Sequence, residues 1–300
     1  MKVFMTGGTG FVGTFLSHRL VREGHEITVL TRHPRDNAPD LPNLDYLAGD
    51  PTQEGDWMAA VADHEWVIHL AGASVIGSWN ERTKKVIYDS RILSTRNVVK
   101  ALAAGNRQQI FCSASAVGYY GLRGEETLTE GSTPGNDFLG RVAQAWEAEA
   151  LKALDLGIRV VVTRFGLVLG RGGGMLAKLV PIFKSYAGGP VGSGRQWLSW
   201  IHQEDQVRAF LFVLEHPELF GPVNFTSPNP VRNQELAKAL GQALGRPSVL
   251  PVPGFMVRLI LGESAQVILE GQKVLPQRLL AAGFKFLYPT IEEALAHLLS

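Results

Sequence analysis

The chain has 300 residues, enough to bury a large core as one elaborated domain or as two. Its 29 Lys and Arg stand against 28 Asp and Glu, and a net charge of +1 argues against a polyanion or an acidic membrane surface as partner. The single cysteine, Cys112, excludes a disulfide within the chain and points to a reducing compartment.

The first elements are also the most specific. Val3, Phe4 and Met5 predict a short buried strand, and Phe11, Phe15, Leu16 and Leu20 have the spacing of a helix. The turn between them fits two glycine patterns at once, one through Gly7, Gly10 and Gly13, the other through Gly8, Gly10 and Gly13. A pyrophosphate can rest on the free N–H groups of a helix N-terminus only where no Cβ blocks its approach. The backbone of Gly7, Gly10, Phe11, Val12 and Gly13 is therefore the expected seat of a dinucleotide. Because this motif begins at Thr6, no cleavable leader is expected, and the predicted location is the cytoplasm.

Beyond the first helix, strand-like runs at 27–31, 44–48, 66–71, 109–113 and 159–165 alternate with helical patterns at 57–62, 83–104 and 142–156. Continuous apolar strands alternating with helices predict an α/β fold, a doubly wound parallel sheet of the Rossmann kind. After Gly166 glycines crowd the segment near 170–200, and prolines recur from Pro222 to Pro253. The expected organisation is a dinucleotide-binding domain over 1–225 with an inserted segment near 170–200, followed by a smaller C-terminal substrate lobe over 226–300.

The second strand run selects the cofactor. It ends in Thr31, Arg32, His33, Pro34 and Arg35, with no acid before Asp36. NAD sites usually place a carboxylate there for the ribose hydroxyls, whereas a guanidinium suits a 2′-phosphate. Arg32 therefore predicts NADP(H). Asp50, after the third run, could accept from an adenine amino group. Leu70, Ala71 and Gly72 close the fourth with side chains small enough for backbone to approach a cofactor.

Several motifs now carry a resemblance. TGGTGFVG (6–13), HLAG (69–72), CSASAVGYYG (112–121) and WIHQED (200–205) resemble the extended short-chain dehydrogenase/reductase superfamily. YDSR (88–91), SGRQWLSWIH (193–202) and GQKVLPQRLLAAGF (271–284) are similar to its epimerase-family branch, the one that includes SDR39U1-like proteins and bacterial proteins mislabelled as cell-division inhibitors. The resemblance implies a tyrosine whose pKa is lowered by a lysine four residues later on the same helix face. Here those positions hold Phe138 and Val142, or Leu139 and Ala143 one residue on, and neither pair contains an acid or a base.

The remaining site residues follow partly from this resemblance and partly from their own positions and chemistry. Ser115 matches the superfamily serine that hydrogen-bonds substrate, and Tyr119 and Tyr120 are substitute proton donors or aromatic lining. Arg91 and Ser113 are expected at the cofactor, with Val168 close to the nicotinamide. Arg164, Lys178, Arg195, Trp197, Trp200 and His202 are expected around the substrate, although His202 reads equally as a core histidine. No metal-ligand spacing occurs, and no apolar run approaches the ~20 residues of a membrane span. The expected partner is a small molecule, with no nucleic acid and no membrane. Two functions remain open: an NADP(H)-dependent oxidoreductase or epimerase-like enzyme, or an NADP(H)-binding protein with little turnover that acts as a sensor. The apolar spacing after Leu250 suits a packing module or a homodimer contact.

Overall fold

In the computed structural model, residues 1–34, 41–105 and 109–300 are described, so Arg35 and Asp36 lie outside the described residues. The first half alternates as its spacing predicts: β1 (Lys2–Thr6), α1 (Phe11–Arg22), β2 (Glu26–Thr31), β3 (Leu44–Ala48), α2 (Trp57–Ala62), β4 (Trp66–His69), α3 (Glu81–Leu102) and β5 (Ile110–Ala116). Then come β6 (Thr127–Leu128), α4 (Phe138–Leu151), β7 (Arg159–Phe165), β8 (Leu167–Leu169), α5 (Leu176–Lys184), β9 (Trp197–Leu198), β10 (Trp200–His202), α6 (Gln203–Glu215) and β11 (Gly221–Phe225). The chain ends with β12 (Val231–Arg232), α7 (Asn233–Leu244), α8 (Gly254–Leu261), α9 (Gln266–Leu269), β13 (Lys273–Val274), α10 (Gln277–Ala281) and α11 (Ile291–Leu299).

Seven strands form one sheet in the order β11-β7-β5-β4-β1-β2-β3, with every neighbouring pair parallel. Alternation along β1 sends Val3 and Met5 into the core shared with Leu16, Leu20 and Phe210, and Phe4 into the opposite core with Val67, Val98 and Val160. Helices thus cover both faces. Strand order reverses between β1 and β4, and the crevice at such a switch point is where ligands bind in these sheets.

Several boundaries differ from the sequence expectation, two of them at the site. The fourth strand stops at His69 rather than residue 71. The fourth helix starts at Phe138 instead of 142, because the Asp137 carboxylate accepts the Gly140 N–H at 2.8 Å and caps it there. The second lobe is not a simple C-terminal addition either. Leu169, Leu176, Phe183 and Trp200 share one core with Leu236, Leu240 and Leu295, so the inserted segment and the C-terminal residues pack as a unit. Leu279 and Phe284 return to the main sheet's core. The lobe has a core of its own and is joined to the sheet through Leu279 and Phe284.

Candidate functional site

The glycine turn is shaped by contacts that exclude side chains. Gly7 adopts φ +72°, and a Cβ there would lie 2.7 Å from the Leu70 carbonyl carbon. A Cβ on Gly13 would lie 2.2 Å from the Gly7 oxygen, so only glycine lets α1 pack this closely on the turn. Gly10 occupies the helix N-cap without any side-chain cap, and the first turn carries no acid. The leading amides of α1, at Phe11, Val12 and Gly13, therefore keep their N–H groups for a ligand.

The floor of the crevice is pinned by a buried histidine. Thr6 Oγ1 and His69 Nδ1 are 2.6 Å apart, and His69 Nε2 lies 3.0 Å from Thr95 Oγ1. Burial, with help from Arg91, lowers the His69 pKa to about 3, so the ring is neutral and ties β1 and β4 to α3. Above it Ala71 N–H donates to Thr6 Oγ1 at 3.4 Å. Gly72 faces the Arg91 guanidinium, whose Cζ would sit 3.2 Å from a Cβ added there.

Arg91 is the distinctive cation of this crevice. It donates to the Ile87 carbonyl at 3.0 Å and lies 5.1 Å from the Trp146 ring, with no carboxylate partner among the described residues. Burial alone lowers its pKa to about 10, which leaves it charged at neutral pH. Its neighbour Trp146 has a buried Nε1–H with no acceptor among the described residues. Arg32 stands exposed just past the end of β2, in the position where an NAD site would carry an acid. Asp50, half-buried after β3, accepts from Thr52 N–H at 2.9 Å and Thr52 Oγ1 at 2.7 Å through Oδ1.

The inserted segment closes over the start of α1. Gly170, Gly173 and Gly174 pack on the Phe11 ring, and a Cβ on Gly173 would come within 2.1 Å of it. Val168 in β8 is half-buried and pairs with Ile201 of β10. This much of the expected site is brought together: Gly7, Gly10, Phe11, Gly13, Leu70, Ala71, Gly72 and Arg91.

Other expected residues are placed differently. Arg164 does not face open space: it is 2% exposed and grips Glu147 through Nε–Oε1 at 2.8 Å and Nη2–Oε2 at 2.7 Å. Ser115 Oγ donates to the same Glu147 carboxylate at 2.6 Å. Tyr120 is also committed. Its hydroxyl donates to Asn224 Oδ1 at 2.7 Å and accepts from Arg164 Nη1 at 2.9 Å, while burial pushes its pKa up to about 12. A fully buried guanidinium needs such a counter-charge, and α4 supplies it across from β7. Ser113 is likewise buried, level with His69 on the neighbouring strand.

Tyr119 differs from its neighbour. Arg164 Cζ sits 3.5 Å from its ring centroid, but its hydroxyl has no hydrogen-bond partner among the described residues. Of the three candidate donors, it alone keeps its proton uncommitted.

The lobe residues do not converge on one cleft. Trp200 is buried with Nε1–H on the Asn229 carbonyl at 2.9 Å. His202 is fully buried and caps α6, accepting the Glu204 N–H at 3.0 Å through Nδ1, with Nε2 3.1 Å from His297 Nδ1. Burial, His297 and Arg171 lower its pKa to about 3, so its role here is that of a core histidine. Lys178 is exposed on α5, and Arg195 is exposed beside Ser193. Trp197 lies between Arg232 and Lys273, its ring centroid 4.0 and 5.0 Å away, and donates to Glu125 at 3.1 Å.

What packs around Phe138 and Val142 comes from parts of the chain far from them in sequence. Phe138 meets Trp79 edge-on at 5.0 Å, and Phe138, Leu139 and Val142 form a cluster with Ile87 and Val267. Val267 comes from the C-terminal module, and the nearby Lys84–Glu263 ion pair at 2.6 Å ties that module to α3. Glu147, which the sequence reading did not single out, had one signal available: an acid at helical spacing from Ala143 and Ala150 on the buried side of α4.

Comparison with known proteins agrees with this geometry. The model of the NAD dependent epimerase/dehydratase family matches residues 3–224. The chain belongs to that family. A domain of unknown function, DUF1731, matches residues 252–298. The chain is 43% identical over 298 residues to the Arabidopsis thaliana epimerase family protein SDR39U1 homolog, chloroplastic, covering 98% of this chain and 86% of that one. It is 39% identical over 310 residues to the Bacillus subtilis epimerase family protein YfhF, covering 100% and 98%. The crystal structure of human epimerase family protein SDR39U1 (isoform2) with NADPH is similar at a TM-score of 0.88 and 32% identity, covering 100% of this chain and 99% of that one. Among the described residues no helix is long and apolar enough to cross a membrane, and no group of three His, Cys, Asp or Glu could hold a metal ion.

Proposed function

We propose that this protein binds NADP(H) and acts as a reductase-type or epimerase-like enzyme on a small molecule in the cytoplasm, without the tyrosine–lysine relay. The observation that carries the cofactor reading is Arg91, a largely buried guanidinium facing Gly72 just past β4, with no carboxylate to neutralise it among the described residues. A buried, unpaired cation is costly in the free protein and calls for an anionic ligand. The uncapped α1 amides add a second anion-binding feature. Arg32 favours the 2′-phosphate over a free ribose hydroxyl, and the human relative named above was solved with NADPH.

When bound, the cofactor supplies or accepts a hydride. This chain's own part is to hold it on Gly7–Gly13, to shield that end with Phe11 and the 170–174 glycines, and to manage the accompanying proton. Tyr119 is the group we assign to that proton, since Ser115 and Tyr120 already donate theirs to Glu147 and Asn224. Ser115 instead positions the Glu147 carboxylate under Arg164. Asp50, Ser113 and Val168 remain candidates at the cofactor, and Lys178, Arg195 and Trp197 at the outer substrate surface.

The packed cluster of Phe138, Val142, Trp79 and Val267 supports a second reading, a cofactor-binding protein with little turnover. One set of measurements separates these. Titration of the protein's fluorescence should show NADPH binding tighter than NADH. Arg32→Ala should remove most of that preference, and Arg91→Ala should weaken NADPH by roughly ten- to a hundredfold, as for a charge-assisted contact of ~1.5–3 kcal/mol. Equal affinity for both cofactors would overturn the assignment. NADPH oxidation with a carbonyl panel, abolished by Tyr119→Phe, would support the enzyme; occupancy without oxidation of any compound would support the second reading.

A further inference from the structure

The C-terminal module presents apolar side chains outward where a monomer gains nothing from them. On α8, Leu259 is 84% exposed, Ile260 73%, Phe255 69% and Met256 44%. Just before it, Val249 is 74% and Leu250 52% exposed. Only Val257 of this helix is buried. At roughly 150–200 Å² for a fully exposed large side chain, these six offer on the order of 700 Å² of apolar surface. That exceeds the patch most monomers carry, ~300–600 Å².

We propose that α8 is the contact through which two copies of this chain form a two-fold symmetric dimer. The size fits, since a standard interface takes about 800 Å² from each partner. The shape also fits a second copy. The exposed positions recur as 255, 256, 259 and 260, one stripe along two turns, so the same stripe can cross its own copy about a two-fold axis. Beside it opens a cavity of about 400 Å³ lined by Arg258, Glu263, Gln266 and Glu270 together with Ala265 and Leu269, a recess whose polar side chains can form the rim of the contact. A lipid surface suits this face less: the helix has two turns, and a chain of net charge +1 offers little attraction to anionic headgroups.

The proposed contact adjoins the cofactor lobe. The chain leaving α8 runs directly into Glu263, paired with Lys84, and Val267, packed with Phe138. Dimerisation would therefore brace the wall that replaces the tyrosine–lysine pair.

Sedimentation equilibrium of the full chain at ~1–100 μM tests this. The expected result is a monomer–dimer equilibrium whose dissociation constant rises at least about a hundredfold in Leu259→Glu/Ile260→Glu. Both positions point to solvent, so the variant should stay folded, with an unmutated circular dichroism spectrum and a cooperative thermal transition that no longer depends on protein concentration. A purely monomeric unmutated chain overturns the proposal, as does a dimer that the double variant leaves intact. Co-sedimentation of a monomeric unmutated chain with phosphatidylcholine/phosphatidylglycerol vesicles would also overturn it, by assigning the face to lipid.

Discussion

Replacing Arg164 with methionine should damage stability rather than ligand recognition. The substitution removes two charge-assisted hydrogen bonds to Glu147, at 2.8 and 2.7 Å, and a third to Tyr120 Oη at 2.9 Å. Glu147, 4% exposed, then keeps only the Ser115 hydroxyl at 2.6 Å. Leaving one member of a buried pair without its partner costs about 3–5 kcal/mol. Domains are stable by only ~5–15 kcal/mol, so Arg164→Met should fold but with little reserve. At roughly 2–3 °C per kcal/mol for a chain this long, Tm should fall by roughly 6–15 °C. Glu147→Gln/Arg164→Met, which removes the charge but keeps an acceptor for Ser115, should recover much of the loss. An Arg164→Met protein with unchanged Tm but lost ligand affinity would refute this reasoning and return Arg164 to the substrate.

Gly13→Ala should lower NADPH affinity at least about tenfold in a fluorescence titration, because the new Cβ meets the Gly7 carbonyl, which is backbone and cannot swing aside; unchanged affinity would show that the turn tolerates a shift of α1. His69 and His202 both have folded pKa values of about 3, below the ordinary 6.5. Their contribution to stability is thus present above about 6.5 and lost as pH falls toward 3. His202→Asn keeps a capping acceptor but removes one of the two titrations, so its Tm should fall less steeply over that range than the unmutated protein's. Parallel slopes would show that His202 is not held neutral.

Much of the cofactor half was written in local spacing. A strand, a glycine turn and a helix within the first 22 residues define the seat of a dinucleotide because each depends on near neighbours: periodicity, missing Cβ atoms and an uncapped helix start. The parallel sheet followed from the same alternation. The expectation that no tyrosine–lysine pair stands at the start of α4 rests on an equally local reading, since Phe138 and Val142 carry no titratable group.

Burial and partnership were not local, and there the tertiary structure decided. Arg164 and Ser115 end up facing Glu147 because α4 packs between them and solvent, and nothing in the spacing of a strand end shows which helix lies opposite. Trp200 and His202 look like pocket residues in a glycine-rich segment. They are buried because that segment shares its core with α7 and α11, elements drawn from the C-terminal residues. Val267 reaches Phe138 and Leu139 across more than a hundred residues, so the wall of the site is made by a module whose own sequence shows only an apolar helix pattern. Hydrophobic periodicity tells which side of an element is buried. It does not tell what buries it, because that depends on contacts between residues far apart in the chain.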